Sequence, residues 1–355
     1  MKMYKRVISM LATAALTVGV FAGCGGNSAA PASTADAASG TQASASADDF
    51  KMVIKLSHVF AEGEQLTITM DNIANAIKER TNGAIEIQTF PNGTIACYKD
   101  GLEQVVRGAD FISVEDPSYL GDYVADFNIL AGPMIVSSFE EYEYLLGTDI
   151  LKEMYAQAEE KNIKILGLNY IFGFRSMKTN KDINTPDDLK GMKIRTPMSQ
   201  LYVDTLNAMG ANAVPMAFSE TISAVQSGVV DGLEGTIDGY DADGSADVAK
   251  KMALTKHLLG VCGAYIGLDT WNRIPAEYQA IIQEEFTKGG TEMIKNVSDG
   301  EAATMKRLEE EYGVTFNEVD HDAFAEKVKV VYDNMQGLTP GRYDAIKEAI
   351  ANMPK

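Results

Sequence analysis

The chain has 355 residues, of which 46% are hydrophobic and 23% charged, a composition typical of a folded globular protein rather than a disordered one. With 31 basic against 50 acidic residues, its formal net charge is −19, which disfavours binding to the phosphate backbone of nucleic acids. Three cysteines are too few for a disulfide framework, and the length is typical of about two domains.

The first 23 residues have the layout of a secretory signal peptide. Basic residues precede the apolar run Val7–Phe21, which is too short for a comfortable membrane span and ends in small residues. The sequence Phe-Ala-Gly-Cys that ends at Cys24 resembles a bacterial lipobox, although Leu is usual where Phe21 stands. It predicts cleavage before Cys24 and acylation of its sulfur. The alternative is an ordinary secreted protein with an incidental cysteine.

Residues 24–48 follow the predicted cleavage point and contain no large apolar side chain. A stretch of Gly, Ala, Ser, Thr, Asp and Pro cannot join a hydrophobic core, so it predicts a flexible tether. No later segment has 18 consecutive apolar residues, and we therefore expect the body not to cross the bilayer. The protein is predicted to be extracytoplasmic, held by lipid at the outer face of the cell membrane.

The body alternates between strand and helix patterns, which predicts an α/β fold. The first unit has predicted strands at 52–57, 84–90 and 111–114, and predicted helices at 64–80 and 98–108. A second unit is predicted to begin near Arg175. In it we expect a helix start at Thr185, strands at 192–195 and 229–234, helices at 199–209 and 219–228, and a mostly helical stretch at 275–352 with a strand at 314–319.

Strand–helix units bind ligands at the carboxyl ends of their strands. Four charged or titratable residues stand at such ends: His58, Glu115, Arg195 and Glu234. The rigid guanidinium fork of Arg195 suits a carboxylate held by two parallel hydrogen bonds. Composition alone allows the alternative of a surface arginine on an edge strand.

Other residues are weaker candidates for chemistry. Glu115 with Asp116 is a possible carboxylate pair for acid–base catalysis, but a cleft acid beside a turn residue is favoured. His58 is either a ligand donor or a satisfied loop histidine. The three histidines are far apart in sequence, so no zinc site is predicted. The acidic stretch fits no calcium loop and predicts a solvated loop; its members are Asp238, Asp241, Asp243 and Asp247.

Cys97 and Cys262 remain after removal of the predicted signal peptide and lipidated cysteine. Their spacing fits no metal-binding motif. They are either two buried free thiols, which is favoured, or one disulfide, and the sequence leaves both open.

Several segments together are similar to the signature of one protein family. These are Phe174-Arg175, Asn184–Pro197, Gly210-Ala211, Val214–Glu220, Gln226–Glu234, Leu254–His257 and Trp271–Pro275. The pattern resembles the solute-binding proteins of tripartite ATP-independent periplasmic (TRAP) transporters, the DctP type. The resemblance extends over almost the whole body from Lys51.

The resemblance implies two α/β lobes of the periplasmic-binding-protein kind, joined by a hinge and braced by a long helix. On this basis we expect one lobe at 49–172 plus about 261–300, and the other at 173–260 plus about 301–355. It also implies that the protein captures an organic acid and presents it to a small and a large membrane subunit, without catalysis or a cofactor. The alternative is a binding lipoprotein that serves a sensor or an ATP-driven importer.

The resemblance also implies roles for single residues. Arg195 is expected to bind the ligand carboxylate, with Arg175 assisting. Phe218 is expected to pack on the ligand, and Pro197 belongs to the same binding segment.

On the acidic side, Glu115 and Glu234 are expected to line the cleft or to orient the arginines, and His58 is counted among the ligand-binding residues. Gly235 stands where the family commonly has Asn, and Thr236 where Pro is usual. The missing side chain at Gly235 predicts lost polar contact and more room for ligand.

Overall fold

The computed structural model describes residues 50–354. The predicted signal peptide, Cys24 and tether therefore lie outside the described residues. None of the helices in residues 50–354 combines the length and apolarity that a membrane crossing requires.

The strands of residues 50–354 form one mixed sheet in the order β2-β1-β3-β8-β4-β7-β5-β6, with β9 beside β8. The strands are β1 Met52–Ser57, β2 Ile85–Phe90, β3 Phe111–Glu115, β4 Ile163–Thr179, β5 Lys193–Thr196, β6 Asn212–Pro215, β7 Gly232–Gly235, β8 Lys251–Gly267 and β9 Thr315–Asn317.

Helices cover both faces of this sheet, as expected for an α/β protein. They are α1 Gln65–Arg80, α2 Tyr98–Val106, α3 Phe127–Leu130, α4 Phe139–Leu146, α5 Asp149–Glu159, α6 Gln200–Met209, α7 Thr221–Gln226, α8 Ser245–Val248, α9 Leu268–Arg273, α10 Ala276–Arg307, α11 His321–Asn334 and α12 Arg342–Ala351.

The sheet has two parallel halves joined by a long antiparallel pair. In the first half β1 pairs in parallel with β2 and β3, and in the second half β5 pairs in parallel with β6 and β7. Strands β4 and β8 have 17 residues each and pair with one another between the halves. The predicted lobe boundaries at 172 and 260 fall inside these two strands, and those boundaries stay a prediction.

The long helix α10 has 32 residues and packs along β4 and α1. Its buried face includes Ile282, Phe286 and Met293, at spacings of four and seven residues that return to the same side of a helix. Tyr170 of β4 fixes the contact, because its buried hydroxyl donates to the Phe286 carbonyl at 2.8 Å. The predicted α/β architecture with a long bracing helix is confirmed.

Short-range patterns located most elements but gave two different outcomes in the second half. The predicted helix at 199–209 is confirmed as α6, which ends at Gly210 with φ of +107°. The helix start at Thr185 leads only to one 3-10 turn, Pro186–Leu189. Asp188 accepts hydrogen bonds there from the backbone N–H groups of Asn184 and Thr185, which satisfies the turn without a longer helix.

Gly260 marks a very close approach between β8 and β4. A Cβ atom there would lie 2.7 Å from both the Phe172 ring and the Thr236 methyl group, and 2.8 Å from the Gly173 carbonyl oxygen. We expect Gly260→Ala to lower the free energy of unfolding by about 1–3 kcal/mol through overpacking. Urea unfolding followed by Trp271 fluorescence measures this loss.

Gly300 of α10 provides the control, because a Cβ atom there meets nothing within 4 Å. Gly300→Ala should raise stability by about 0.5–1 kcal/mol through helix propensity. Equal stability of Gly260→Ala and the unaltered protein would contradict the close packing described for this strand pair.

Candidate functional site

A cavity opens where the carboxyl ends of β1, β5 and β7 face the middle of β4. It encloses about 490 Å³ including its open mouth, within the range of small-molecule sites. Its wall combines apolar, cationic and acidic side chains, and is formed by Val59, Phe60, Glu64, Tyr98, Phe172, Arg175, Lys178, Arg195, Pro197, Phe218, Glu234, Gly235, Thr236, Asp238 and Asp243.

Arg195 of β5 is buried in this wall, with 2% of its surface exposed. Its Nε and Nη2 atoms donate to the Met216 carbonyl oxygen at 3.3 and 3.0 Å. Within residues 50–354 no carboxylate forms an ion pair with its guanidinium. Burial lowers the pKa of Arg195, but a guanidinium has so high an ordinary pKa that it remains charged. The cavity therefore contains a desolvated positive charge that an anion can pair with.

Arg175 of β4 is in the opposite situation, because its charge is already paired. Its Nε and Nη2 atoms donate to the two carboxylate oxygens of Glu234 at 2.5 and 2.7 Å, in a bidentate geometry. Burial alone would raise the pKa of Glu234, but Arg175 and the nearby His257 outweigh it and hold that pKa well below its usual range. The prediction that Glu234 orients an arginine is consistent with this contact.

Phe218 and Pro197 form the apolar part of the wall next to Arg195. The Arg195 Cζ atom lies 5.3 Å from the centroid of the Phe218 ring, a cation–π distance. Across the cavity, the rings of Phe60 and Phe172 meet edge to face at 5.0 Å. These rings leave the guanidinium edge as the polar feature at this end of the cavity.

Glu115 ends β3 but does not lie on the cavity wall. Its carboxylate accepts the backbone N–H of Tyr98 at 2.5 Å, and Tyr98 has a φ of +55°, which is unusual for a non-glycine residue. Burial raises the pKa of Glu115 to about 8. Its contact in the structure is therefore with the backbone of Tyr98, which does line the cavity.

Three hydrogen bonds connect the first half to the second half around the cavity. The Phe218 backbone N–H donates to the Tyr98 hydroxyl oxygen at 2.9 Å. The Tyr202 hydroxyl donates to Asp116 at 2.6 Å. Ser199 Oγ donates to Ser118 Oγ at 2.9 Å. The structure is therefore a closed arrangement, in which both halves contribute to one wall.

His58 and Gly235 differ in how they relate to the cavity. His58 is fully buried one residue before the wall residue Val59, and neither ring nitrogen has a hydrogen-bond partner among the described residues. Burial lowers the pKa of His58 to about 4, so it is neutral at pH 7. Gly235 does line the cavity, but a Cβ atom there would lie 3.3 Å from Lys178 Nζ. Lys178 thus fills part of the room that the missing side chain leaves.

Sequence reasoning missed a polar cluster in the same wall. Lys178 and Glu64 were not predicted to be site residues, and the prediction of a solvated acidic loop is wrong for Asp238 and Asp243, which line the cavity. Lys178 is 1% exposed and lies 3.8 Å from the Asp243 carboxylate. No local signal identifies these residues, because β4 and β7 are 50 positions apart in sequence and only the sheet brings them together.

The described residues contain no group of three or more His, Cys, Asp or Glu side chains arranged to hold a metal ion. Cys97 and Cys262 are free thiols, which resolves the alternative that the sequence left open. Cys97 Sγ lies 2.9 Å from Ser57 Oγ, and Cys262 is buried in the core.

The sequence profile of bacterial extracellular solute-binding protein family 7 (DctP) matches residues 56–337. Three solved TRAP periplasmic solute-binding proteins are similar to this chain. The protein from Desulfovibrio salexigens, in complex with diglycerolphosphate, is 52% identical, with 86% of this chain and 98% of that chain covered and a TM-score of 0.84.

The second is from Fusobacterium nucleatum with bound sn-glycerol-3-phosphate, at 43% identity, with coverage of 84% and 97% and a TM-score of 0.83. The third is from Actinobacillus succinogenes with bound L-galactonate, at 30% identity, with coverage of 84% and 99% and a TM-score of 0.81.

The raised pKa of Glu115 predicts a pH-dependent stability. A carboxyl group that binds its proton more tightly in the folded than in the unfolded protein loses stability as pH rises from about 4.3 to about 8. We expect Glu115→Gln, which keeps the acceptor for Tyr98 N–H, to remove a slope of up to about 1.4 kcal/mol per pH unit.

Urea unfolding of both proteins at pH 5, 6, 7 and 8 measures this slope. Glu115→Gln should gain on the unaltered protein at each step upward. Parallel profiles over the whole range would show that Glu115 is ionised in the folded protein.

Proposed function

The chain belongs to bacterial extracellular solute-binding protein family 7, to which the solute-binding proteins of TRAP transporters belong, and from this membership we propose that Arg195 holds the anionic group of a transported solute. The observation that carries the proposal is the buried guanidinium with no acidic partner in residues 50–354. A fixed charge without a counterion in a small cavity favours an anion of opposite charge. Ligand binding would satisfy this charge and strengthen the closed arrangement.

The other predicted site residues take supporting roles in this proposal. Arg175 offers its remaining N–H groups to the cargo while Glu234 fixes its orientation. Phe218 and Pro197 supply apolar contact beside the anion. A ligand role for Glu115, His58 and Gly235 stays a prediction.

For the cargo, we propose a small organic anion with a carboxylate or phosphate ester group. The solved relatives from D. salexigens and F. nucleatum hold phosphate esters, and the relative from A. succinogenes holds a carboxylate. Both groups present planar or tripodal oxygen sets that an arginine fork can bind. The cavity volume of about 490 Å³, mouth included, is large enough for molecules of this size.

We propose that the loaded protein delivers its cargo to a TRAP permease of one small and one large membrane subunit. Family membership favours this prediction over a sensor or an ATP-driven importer. Delivery requires release of unaltered solute, so we propose that the protein makes and breaks no covalent bond. Incubation with a bound solute, followed by mass spectrometry of the released molecule, tests this; a changed mass would contradict it.

Replacement of Arg195 tests the proposed function. We expect Arg195→Ala to weaken binding by roughly 30-fold to several thousand-fold, since loss of one partner of a desolvated charge pair costs about 2–5 kcal/mol. Calorimetry with sn-glycerol 3-phosphate, diglycerol phosphate and L-galactonate measures the effect. Thermal unfolding of the variant without ligand verifies that it folds.

Arg107→Ala is the matched control, because Arg107 is an exposed arginine whose partner Glu103 is four residues away on the same helix. Surface pairs of this kind contribute about 0–1 kcal/mol to stability, and Arg107 is not on the cavity wall. Affinity of Arg195→Ala equal to that of Arg107→Ala would refute the role of Arg195.

We also propose that Cys24 carries the lipid anchor. The support is the lipobox-like sequence and the predicted tether of residues 24–48. In cells that process lipoproteins, Cys24→Ser should remove incorporation of labelled fatty acid and leave the protein outside the membrane fraction. Unchanged labelling and membrane recovery of Cys24→Ser would contradict the anchor.

A further inference from the structure

Lys178 is a buried cation that the proposed capture of an anion by Arg195 does not use. It lies on β4 and lines the same cavity as Arg195. Its ammonium group has three N–H donors, but its one hydrogen bond within residues 50–354 is a long one of 3.3 Å to Ser245 Oγ. Its Nζ atom also lies 3.8 Å from the centroid of the Tyr240 ring. A buried ammonium with donors left over toward a cavity indicates a polar partner that the cargo supplies.

Three acids surround Lys178 at this end of the cavity. Asp243 is nearest, and Glu64 and Asp238 lie on the same wall. Glu64 accepts the Ala61 backbone N–H at 2.6 Å. Burial, followed by the charge of Asp243, raises the pKa of Glu64 well above its ordinary value, so this carboxyl group carries a proton at neutral pH. The cluster therefore contains both hydrogen-bond donors and acceptors.

The Arg175–Glu234 pair separates this cluster from Arg195. Arg175 and Glu234 act electrostatically on both Arg195 and Lys178, which places the pair between the two cations. A cargo bound by its anionic group at Arg195 would thus extend past the Arg175–Glu234 pair to reach Lys178.

The charges of the cluster restrict what the remote end of the cargo carries. A second anion there would meet the carboxylates of Asp243 and Asp238, and an amine would meet the ammonium of Lys178. Hydroxyl groups avoid both conflicts, because each can accept from the ammonium and donate to a carboxylate.

We propose that Lys178, Glu64 and Asp243 form a hydroxyl-binding subsite, and that the cargo carries hydroxyl groups at the end remote from its anionic group. This inference rests on the proposed capture of an anion by Arg195. Gly235 is part of the device, because a side chain at that position would press on Lys178 Nζ. The subsite selects polyhydroxylated anions over plain carboxylates and phosphates.

Matched ligand pairs test this selectivity. Calorimetry compares sn-glycerol 3-phosphate with propyl phosphate, and L-galactonate with hexanoate, so that each pair shares an anionic group and differs in hydroxyl groups. We expect the unaltered protein to bind the hydroxylated member of at least one pair ten times more tightly or better. A site built to bind hydroxyl groups is left with unpaired polar groups by an analogue that lacks them.

Variants of the cluster assign the selectivity to its residues. Lys178→Met keeps the chain length without the charge, and Glu64→Gln keeps the acceptor for Ala61 N–H. Both should reduce the ratio within the pair to about twofold, mainly by weakening the hydroxylated member. Lys181→Met is the control, since Lys181 is an exposed lysine three residues farther along, and it should keep the full ratio. If Lys178→Met fails to fold, Glu64→Gln alone decides.

The outcomes separate this inference from the proposed function. No binding of any of the four ligands by the unaltered protein would overturn the capture of an anion, and the subsite with it. Binding with equal affinity within each pair, or a full ratio retained in Glu64→Gln, would overturn the subsite alone. Tighter binding of succinate than of either hydroxylated ligand, lost in Lys178→Met, would make the remote group a second anion and would also overturn the subsite.

Discussion

The site depends on an imbalance between two neighbouring arginines. Arg175 is neutralised by a bidentate contact with Glu234, whereas Arg195 is just as deeply buried and has a backbone carbonyl as its partner. Burial of a charge without a counterion is unfavourable, and the protein keeps that cost in one place. Glu234 prevents Arg175 from competing for the same anion. The cavity thereby has one end with a net positive charge, which fixes how a small anion would orient.

The fold produces this imbalance through the position of short parallel strands. Arg195 and Glu234 lie near the carboxyl ends of β5 and β7, which are paired in parallel and therefore end at the same edge of the sheet. The long strands β4 and β8 cross between the halves and bring Arg175 and Lys178 to that edge from the antiparallel direction. Hydrogen bonds such as Tyr98 to Phe218 then close the first half over the second. One continuous sheet thus supplies both the rigid floor of the cavity and the contacts that close it.

Local patterns in the sequence predicted the elements whose burial is one-sided, and missed those buried on both faces. Alternation marked β1, and helical spacing marked α1 and α6, but β8 is almost continuously buried and shows no period of two. Arg195 was found because it ends a strand inside a recognisable segment. Lys178 and Asp243 were not, because their role arises from pairing between distant strands and from the absent side chain at Gly235. The Gly/Asp-rich composition near Asp243 is typical of exposed loops, and the fold turns that loop inward.

The most direct test of the account is a crystal structure of the protein with its tightest-binding anion in the cavity. The account predicts carboxylate or phosphate oxygens about 2.7–3.1 Å from the guanidinium nitrogens of Arg195, with the Arg175–Glu234 contact still intact. An anion seated on Lys178 or on a displaced Arg175, with Arg195 still bonded to the Met216 carbonyl alone, would contradict it.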